Sequence, residues 1–320
     1  MSVQALKIDN LPTPKVEEWK YTNLGRAMPA NLVLADAPQE IVIHKNRGEV
    51  CEQAEDIVFT GADGQHSQPH LKIVLEEGAS LTLIERQNGE GAYWKNMVTE
   101  IELGPNSNLQ HIRINQDSNE AVQTNMVHLK TERDAIYNGF SLNMGGKLTR
   151  HEIHAEIQGP NAEISFNGAN LLNGEQHGDT TILIEHQAPH CRSNQFYRTL
   201  LDNKARGVFQ GKVHVHQAAQ KTDGYQLSNT LLLSPEAEMD TKPELEIYAD
   251  DVKCSHGATT GQLDEEPLFY LRQRGLSEAQ ARLLLVQAFV DEAVDKVEDE
   301  TIRTEILEAT NTWLSNALQK

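Results

Sequence analysis

Cysteine is scarce in this chain: Cys51, Cys191 and Cys254 are the three among 320 residues. An odd, widely spaced set does not make a disulfide framework and fits reduced thiols in the cytosol. Basic residues are also short, 28 against 47 acidic, for a formal net charge of −19. Such a surface repels phosphate backbones, which argues against nucleic acid and leaves basic proteins and cations as partners. No stretch approaches the ~20 apolar residues of a membrane span. The opening "MSVQALKIDNLPTPKVEEWKY" lacks a basic segment followed by an apolar one, so no secretory leader is expected. Motifs for nucleotides and nucleophiles are missing too. "GFSLNMGGKLT" has Ser141 where a phosphate loop needs glycine and Leu148 where it needs Ser or Thr. No GxGxxG follows a strand and no GxSxG elbow exists.

What the chain does have is hydrophobic content of 38%, enough for one large or two modest domains. Three regions differ in pattern. Residues 1–62 hold "PTPKVEEWKYTNL" and short apolar runs, and read as loops and short helices forming an N-terminal cap. Residues 63–258 read as strand after strand, the β core. In "LKIVLEEGASLTLIE", Leu71, Ile73 and Leu75 share a face, followed by Leu81 and Leu83 after a turn. "TEIELGPNSNLQHIRI", "HEIHAEIQGPNAEISFNGANLL" and "GVFQGKVHVHQ" repeat the period of two. The turns share one flavour, "EEGAS", "GPNSN", "MGGKL" and "GPNAE", recurring at roughly 25–30 residues, about one solenoid coil. A propeller would repeat at ~40–50 residues with a signature that is missing. A parallel β-helix is therefore favoured over a sandwich, with both ends capped.

Residues 259–320 read as a helical domain. Asp264 is a candidate N-cap and Gly275 a stop for the first helix. Ser277 and Gln280 form a capping box for the next. That helix carries Leu283, Leu284, Leu285, Val286, Phe289, Val290 and Val294 around much more than one face. A helix this apolar is buried on several sides. Partner docking through Leu284 and Phe289 is the favoured expectation, with burial against the strands as the alternative.

Four polar constellations stand out. His214 and His216 in "KVHVH" share a strand face and can chelate a metal, although exposed strand histidines are the commoner case. "HEIH" (151–154) lacks the helical spacing of a zinc-protease motif. His190 and Cys191 are adjacent, so on a strand they face opposite ways. Cys254 and His256, in "YADDVKCSHGATTGQLDEE", project to one side of an extended segment. A thiolate and an imidazole suit iron or sulfur, but two groups do not complete a tetrahedral site. Taken on chemistry alone, strand-end polar residues are the commoner explanation. Gly257 and Gly261 are expected to let the backbone turn into the helical cap.

"KPELEIYADDVKCSHGATTGQLDEEPLFYLRQRGL" resembles the C-terminal signature of the SufB/SufD family of iron–sulfur cluster assembly proteins, in its SufD form. "PTPKVEEWKYTNL" and "FYRTLLDNKARGVFQGKVHVHQAAQKTDGYQLSNTLLLSPEAEMDTKP" resemble the family's N-terminal and central motifs. The resemblance implies a right-handed parallel β-helix between helical ends. It implies pairing with the SufB paralogue and docking of one SufC ATPase on the C-terminal helices. Leu231, Leu232 and Leu233 stand near the place where the SufB type carries a cysteine, so the main sulfur acceptor is expected on the partner. His256, with Cys254, is expected to face the cluster-building site at the junction of the two subunits. The resemblance implies a cytoplasmic, non-catalytic assembly subunit with no tightly bound cofactor and only transient iron or cluster. Because a β-helix ends in open strand edges that invite pairing, the isolated chain is expected to form a homodimer through a Tyr248–Val252 strand, the surface also suited to SufB. The chain starts near the WKYT motif, with little of the helical extension of longer members. The rival is a β-helix enzyme acting on polysaccharide, which would need clustered carboxylates. Asp250 and Asp251, as strand neighbours, would face opposite ways.

Overall fold

The computed structural model describes residues 5–35 and 39–318; residues 1–4, 36–38 and 319–320 lie outside the described residues. The chain winds as a parallel β-helix of two facing sheets. One sheet holds ten strands and runs out to the Glu238–Ile247 strand. The other holds eight and runs from Glu55–Gly61 to Lys253–Gly261. Every strand pairing is parallel, and each strand's neighbours lie one coil before and one coil after it.

Alternation builds the interior. In the ten-stranded sheet Ile43, Ile73, Ile101, Leu129, Ala155, Ile184, Val213 and Leu245 stand in register as one aliphatic column. All but the last are buried. Each coil covers the one before it, so the column is dry except at its ends. The recurrent turns have a common geometry. Gly48, Gly78, Asn106, Asp134, Asn161, His190 and Lys221 all adopt positive φ. Each donates its backbone N–H to the turn one coil on, as from Asn106 to Arg133 O and from Asn161 to Pro189 O. Gly, Asn and Asp tolerate this conformation best, which explains the shared turn flavour.

Both ends are covered differently from a simple cap. The first sixty residues include solenoid strands, Glu40–Lys45 and Glu55–Gly61, where loops and short helices were expected. Their faces are half-exposed because only one neighbouring strand covers them, which weakens the alternation. Ahead of them the WKYT motif straps the outer face of the ten-stranded sheet. Trp19 lies under the Arg150 guanidinium at 4.0 Å, and Thr22 pairs with His177 at 2.9 Å and with Asp179. A single helical turn, α1 (Leu24–Ala27), follows, with Leu24 buried beside Trp19 and Trp94.

At the far end three helices follow: α2 (Glu265–Gln273), α3 (Glu278–Val294) and α4 (Glu300–Leu318). Asp264 caps α2, and the Ser277–Gln280 capping box opens α3. Helices α3 and α4 lie on the outer face of the eight-stranded sheet. Val286, Val290, Val294 and Ile306 pack there on Ile112, Leu142, Leu171 and Leu200. Two charged ties fix them: Arg198 to Glu292 at 2.5 Å and Arg86 to Glu305 at 2.9 Å. No helix among the described residues is long and apolar enough to cross a membrane.

Candidate functional site on the terminal coil

The last coil is the place where the interior of the solenoid meets the outside. In the eight-stranded sheet, Leu81, Leu109, Tyr137, Ile164, Ser193, Gly224 and Cys254 stand in register on the inward face. The next inward column is Leu83, His111, Gly139, Phe166, Gln195, Gln226 and His256. Cys254 and His256 therefore share a side, as their spacing predicts, and each ends an interior column. The second column turns polar before it ends. Gln226 donates to Gln195 Oε1 at 2.9 Å, while Gln226 Oε1 is buried with no protein partner. Gly211 makes room for this pair: a Cβ there would fall 1.4 Å from Gln226 Nε2.

The two candidate ligands differ in setting. Cys254 is half-buried and packs against the terminal apolar group of Val213, Val215, Ala219 and Ala249. Burial pushes its thiol above the ordinary range, with Gly224's backbone working against the shift and Asp223 adding to it. Cys254 thus fills a packing position at the end of its inward column. His256 is exposed.

Both strands of this coil are edges. Among the described residues, Glu238–Ile247 pairs only with Arg206–Val215, and Lys253–Gly261 only with Asp223–Leu232. The edges are not equivalent. Tyr248 N–H bonds back to Val215 O and Glu238 N–H to Ala205 O, so the backbone N–H groups of even-numbered residues of the first strand face its paired neighbour and those of odd-numbered residues face the free side. Pro243 then stands where an N–H would face the free side, and a proline there blocks strand addition. The Lys253–Gly261 edge contains no proline. Tyr248–Val252 is not the pairing strand anticipated: it is the connection between the two edges, and Asp251 there takes Lys221 in an ion pair. Gly257 and Gly261 are also corrected. Both lie within the strand without positive φ, and the chain turns into the cap after Gly261.

The docking residues separate. Leu284 is 46% exposed, whereas Phe289 is half-buried and packs with the sheet–helix cluster, its ring 5.3 Å from the Arg198 guanidinium. Phe269 and Tyr270 on α2 are exposed beyond half. The helices thus leave Leu284, Phe269 and Tyr270 as open apolar surface, while Phe289 holds α3 in place.

Elsewhere the structure sorts the remaining motifs. His151 faces the interior, where burial holds its imidazole well below its usual range, and His154 faces outward; "HEIH" is not one site. His190 occupies a left-handed turn and Cys191 is buried, donating to Gly159 O at 3.3 Å. His214 and His216 face outward, and Glu185, one coil earlier, meets them. Sequence reading also missed a polar network sealed inside the solenoid. Lys95 pairs with Asp117 at 2.8 Å, both with no exposed side-chain surface. Glu85 bonds to His111 and Arg113, each at 3.0 Å. Burial pushes the Glu85 carboxyl up, but the His111 hydrogen bond and Arg113's charge outweigh it and bring it to about 2. The signal was there in Glu85 and Lys95, charged residues at inward positions.

A two-sheet parallel β-helix, helically capped on one outer face and open at its last coil, defines the structural class. Comparison with known proteins defines the family. The model described as "SUF system FeS cluster assembly, SufBD core domain" matches residues 58–289, and the chain belongs to that family. It is 38% identical over 240 residues to a SufBD family protein of Synechocystis, covering 72% of this chain and 53% of that one. It is 36% identical over 244 residues to the iron–sulfur cluster assembly protein SufD of Escherichia coli, covering 76% and 57%. A chloroplastic protein of Arabidopsis thaliana is 32% identical over 283 residues, covering 83% and 59%. The chain spans a little over half the length of these relatives.

Proposed function

We propose that the chain is a non-catalytic subunit for iron–sulfur cluster assembly, working in the cytoplasm as the SufD-type half of a pair with a SufB-type paralogue. The observation that carries this reading is the terminal coil: an interior column ends in exposed His256 beside an unblocked strand edge. A second chain added to the Lys253–Gly261 edge would bring its own ligands against His256. Neutral imidazole suits ferrous iron, so His256 is assigned the role of an iron ligand or proton carrier for the nascent cluster. Cys254, held as a thiol in an apolar pocket, is assigned a lesser part, with the main sulfur acceptor on the partner. Iron and the cluster are cargo here, not a resident cofactor. A SufC-type ATPase is placed on the open surface of α2 and α3.

The test is iron and acid-labile sulfide in the complex co-purified with both partners. His256→Ala should leave the complex assembled and cut both contents several-fold. Cys254→Ser should lower them less. Wild-type iron and sulfide in an intact His256→Ala complex would defeat the ligand assignment. Failure of the paralogue to co-purify at all would defeat the pairing.

A further inference from the structure

The outer face of the ten-stranded sheet carries a second constellation, remote in chemistry from the terminal coil. Val213 and Val215 point into the core and are fully buried, so His214 and His216 must point out. Glu185 stands in register with His214, one coil earlier. Its Oε1 lies 3.5 Å from His214 Nδ1 and 4.0 Å from His216 Nε2. One ligand atom from each of the three falls within 4.8 Å of the others. The two imidazoles stack, ring centres 4.3 Å apart.

We propose that Glu185, His214 and His216 form a binding site for a divalent transition-metal ion of the zinc class. The donor set is two imidazoles and a carboxylate, three protein ligands that leave a fourth position for water. Bonds of about 2.0–2.2 Å in tetrahedral geometry place ligand atoms roughly 3.3–3.6 Å apart. The two spacings to Glu185, 3.5 and 4.0 Å, need only a small contraction. His216 Nε2 is buried at the atom level and has no hydrogen-bond partner among the described residues, an unmet need that an ion would fill. The outer support for such a site is in place. His154 Nε2 lies 3.3 Å from Glu185 Oε2, the carboxylate oxygen turned away from the histidine pair. The Tyr248 ring meets His214 edge-on at 5.6 Å, and its hydroxyl donates to Glu246 at 2.6 Å. Supporting contacts of this kind fix the orientation of ligands in metal sites.

An ion held here would join two successive coils and brace the Tyr248 ring on the terminal coil. It would bind the isolated chain, with no partner present. That separates it from the terminal-coil reading, on which it does not depend.

The experiment is a titration of the full-length chain with Co²⁺, whose visible absorption reports tetrahedral ligation, followed by displacement with Zn²⁺. Wild type should take up one equivalent with visible bands and gain thermal stability. His214→Gln and His216→Gln should each weaken binding by more than about 100-fold, and His154→Ala by about 10-fold, the range for an outer-shell contact. His256→Ala and Cys254→Ser should bind as wild type does. These side chains are outward and half-exposed, and an unchanged circular dichroism spectrum would show that the variants are folded. No uptake by wild type, or superimposable titrations for the His214 and His216 variants, would overturn the site. So would loss of binding confined to the His256 variant.

Discussion

Gln226 and His256 stand in register on adjacent strands, the first sealed inside the solenoid and the second exposed at its end. The Gln195–Gln226 hydrogen bond fixes the floor under His256, and Gly211 on the opposite sheet gives that floor its space. Gly211→Ala is expected to drive a methyl into the Gln226 amide and displace it. Overpacking of this kind costs about 1–3 kcal/mol. Urea unfolding should register that loss, and iron content in the co-purified complex should fall with it. A Gly211→Ala protein as stable as wild type would mean that the amide moves freely.

Leu284 and Phe289 should part company when each is made polar. Leu284→Asp adds a charge to an exposed position, so the melting temperature should hold while the ATPase partner is lost from a pull-down. Phe289→Asp breaks the packing on the eight-stranded sheet and should destabilise the chain by about 2–4 kcal/mol. Loss of ATPase binding in the Phe289 variant alone would remove the exposed surface from consideration.

Strand addition at the terminal coil has a direct test. Lys253 N–H donates to Thr222 O at 2.9 Å, so by alternation the N–H groups of Cys254, His256 and Ala258 face the free side. Ala258→Pro removes one free-side donor and touches no bond within the chain. The isolated wild-type chain is expected to sediment as a dimer, and Ala258→Pro as a folded monomer. A monomeric wild type at tens of micromolar would exclude self-pairing at this edge.

Sequence alone exposed the solenoid because one device is repeated: inward aliphatics at period two and a left-handed turn per coil. Asn106, Asp134 and Asn161 mark those turns in plain view. Groups brought together by register were harder to see. His214 and His216 are visible as a pair, but Glu185 joins them only once adjacent coils are aligned. Phe289 misled because an all-round apolar helix does not say which side meets its own sheet. Tyr248–Val252 misled in a similar way, its mixed residues looking extended where the chain in fact crosses between sheets. Glu85 and Lys95 were legible as charges at inward positions, but their partners Arg113 and Asp117 come from the next coil.

Acid should unfold this protein in two overlapping stages, both of one sign. His186 is fully buried, its Nε2 2.8 Å from Ser193 Oγ, and burial lowers its imidazole from 6.5 to about 4. Between those values the unfolded chain binds a proton that the folded chain refuses, so stability falls as pH drops from about 6.5 toward 4. Glu85 has its carboxyl brought from 4.5 to about 2 despite its burial, through His111 and Arg113. Its contribution is fully present above the unfolded value and is lost as pH falls from about 4.5 through 2. Each shift corresponds to about 3 kcal/mol, against a total stability of about 5–15 kcal/mol. The urea midpoint should therefore decline steadily below neutrality, with the native state failing between about pH 5 and 3. Replacing His186 with Gln, close in size and uncharged, should make the arm above pH 4.5 shallower, with the remainder due to buried histidines such as His151, and leave the lower arm in place. A midpoint that is level from pH 7 to 5 in wild type would contradict the neutral, buried state of His186.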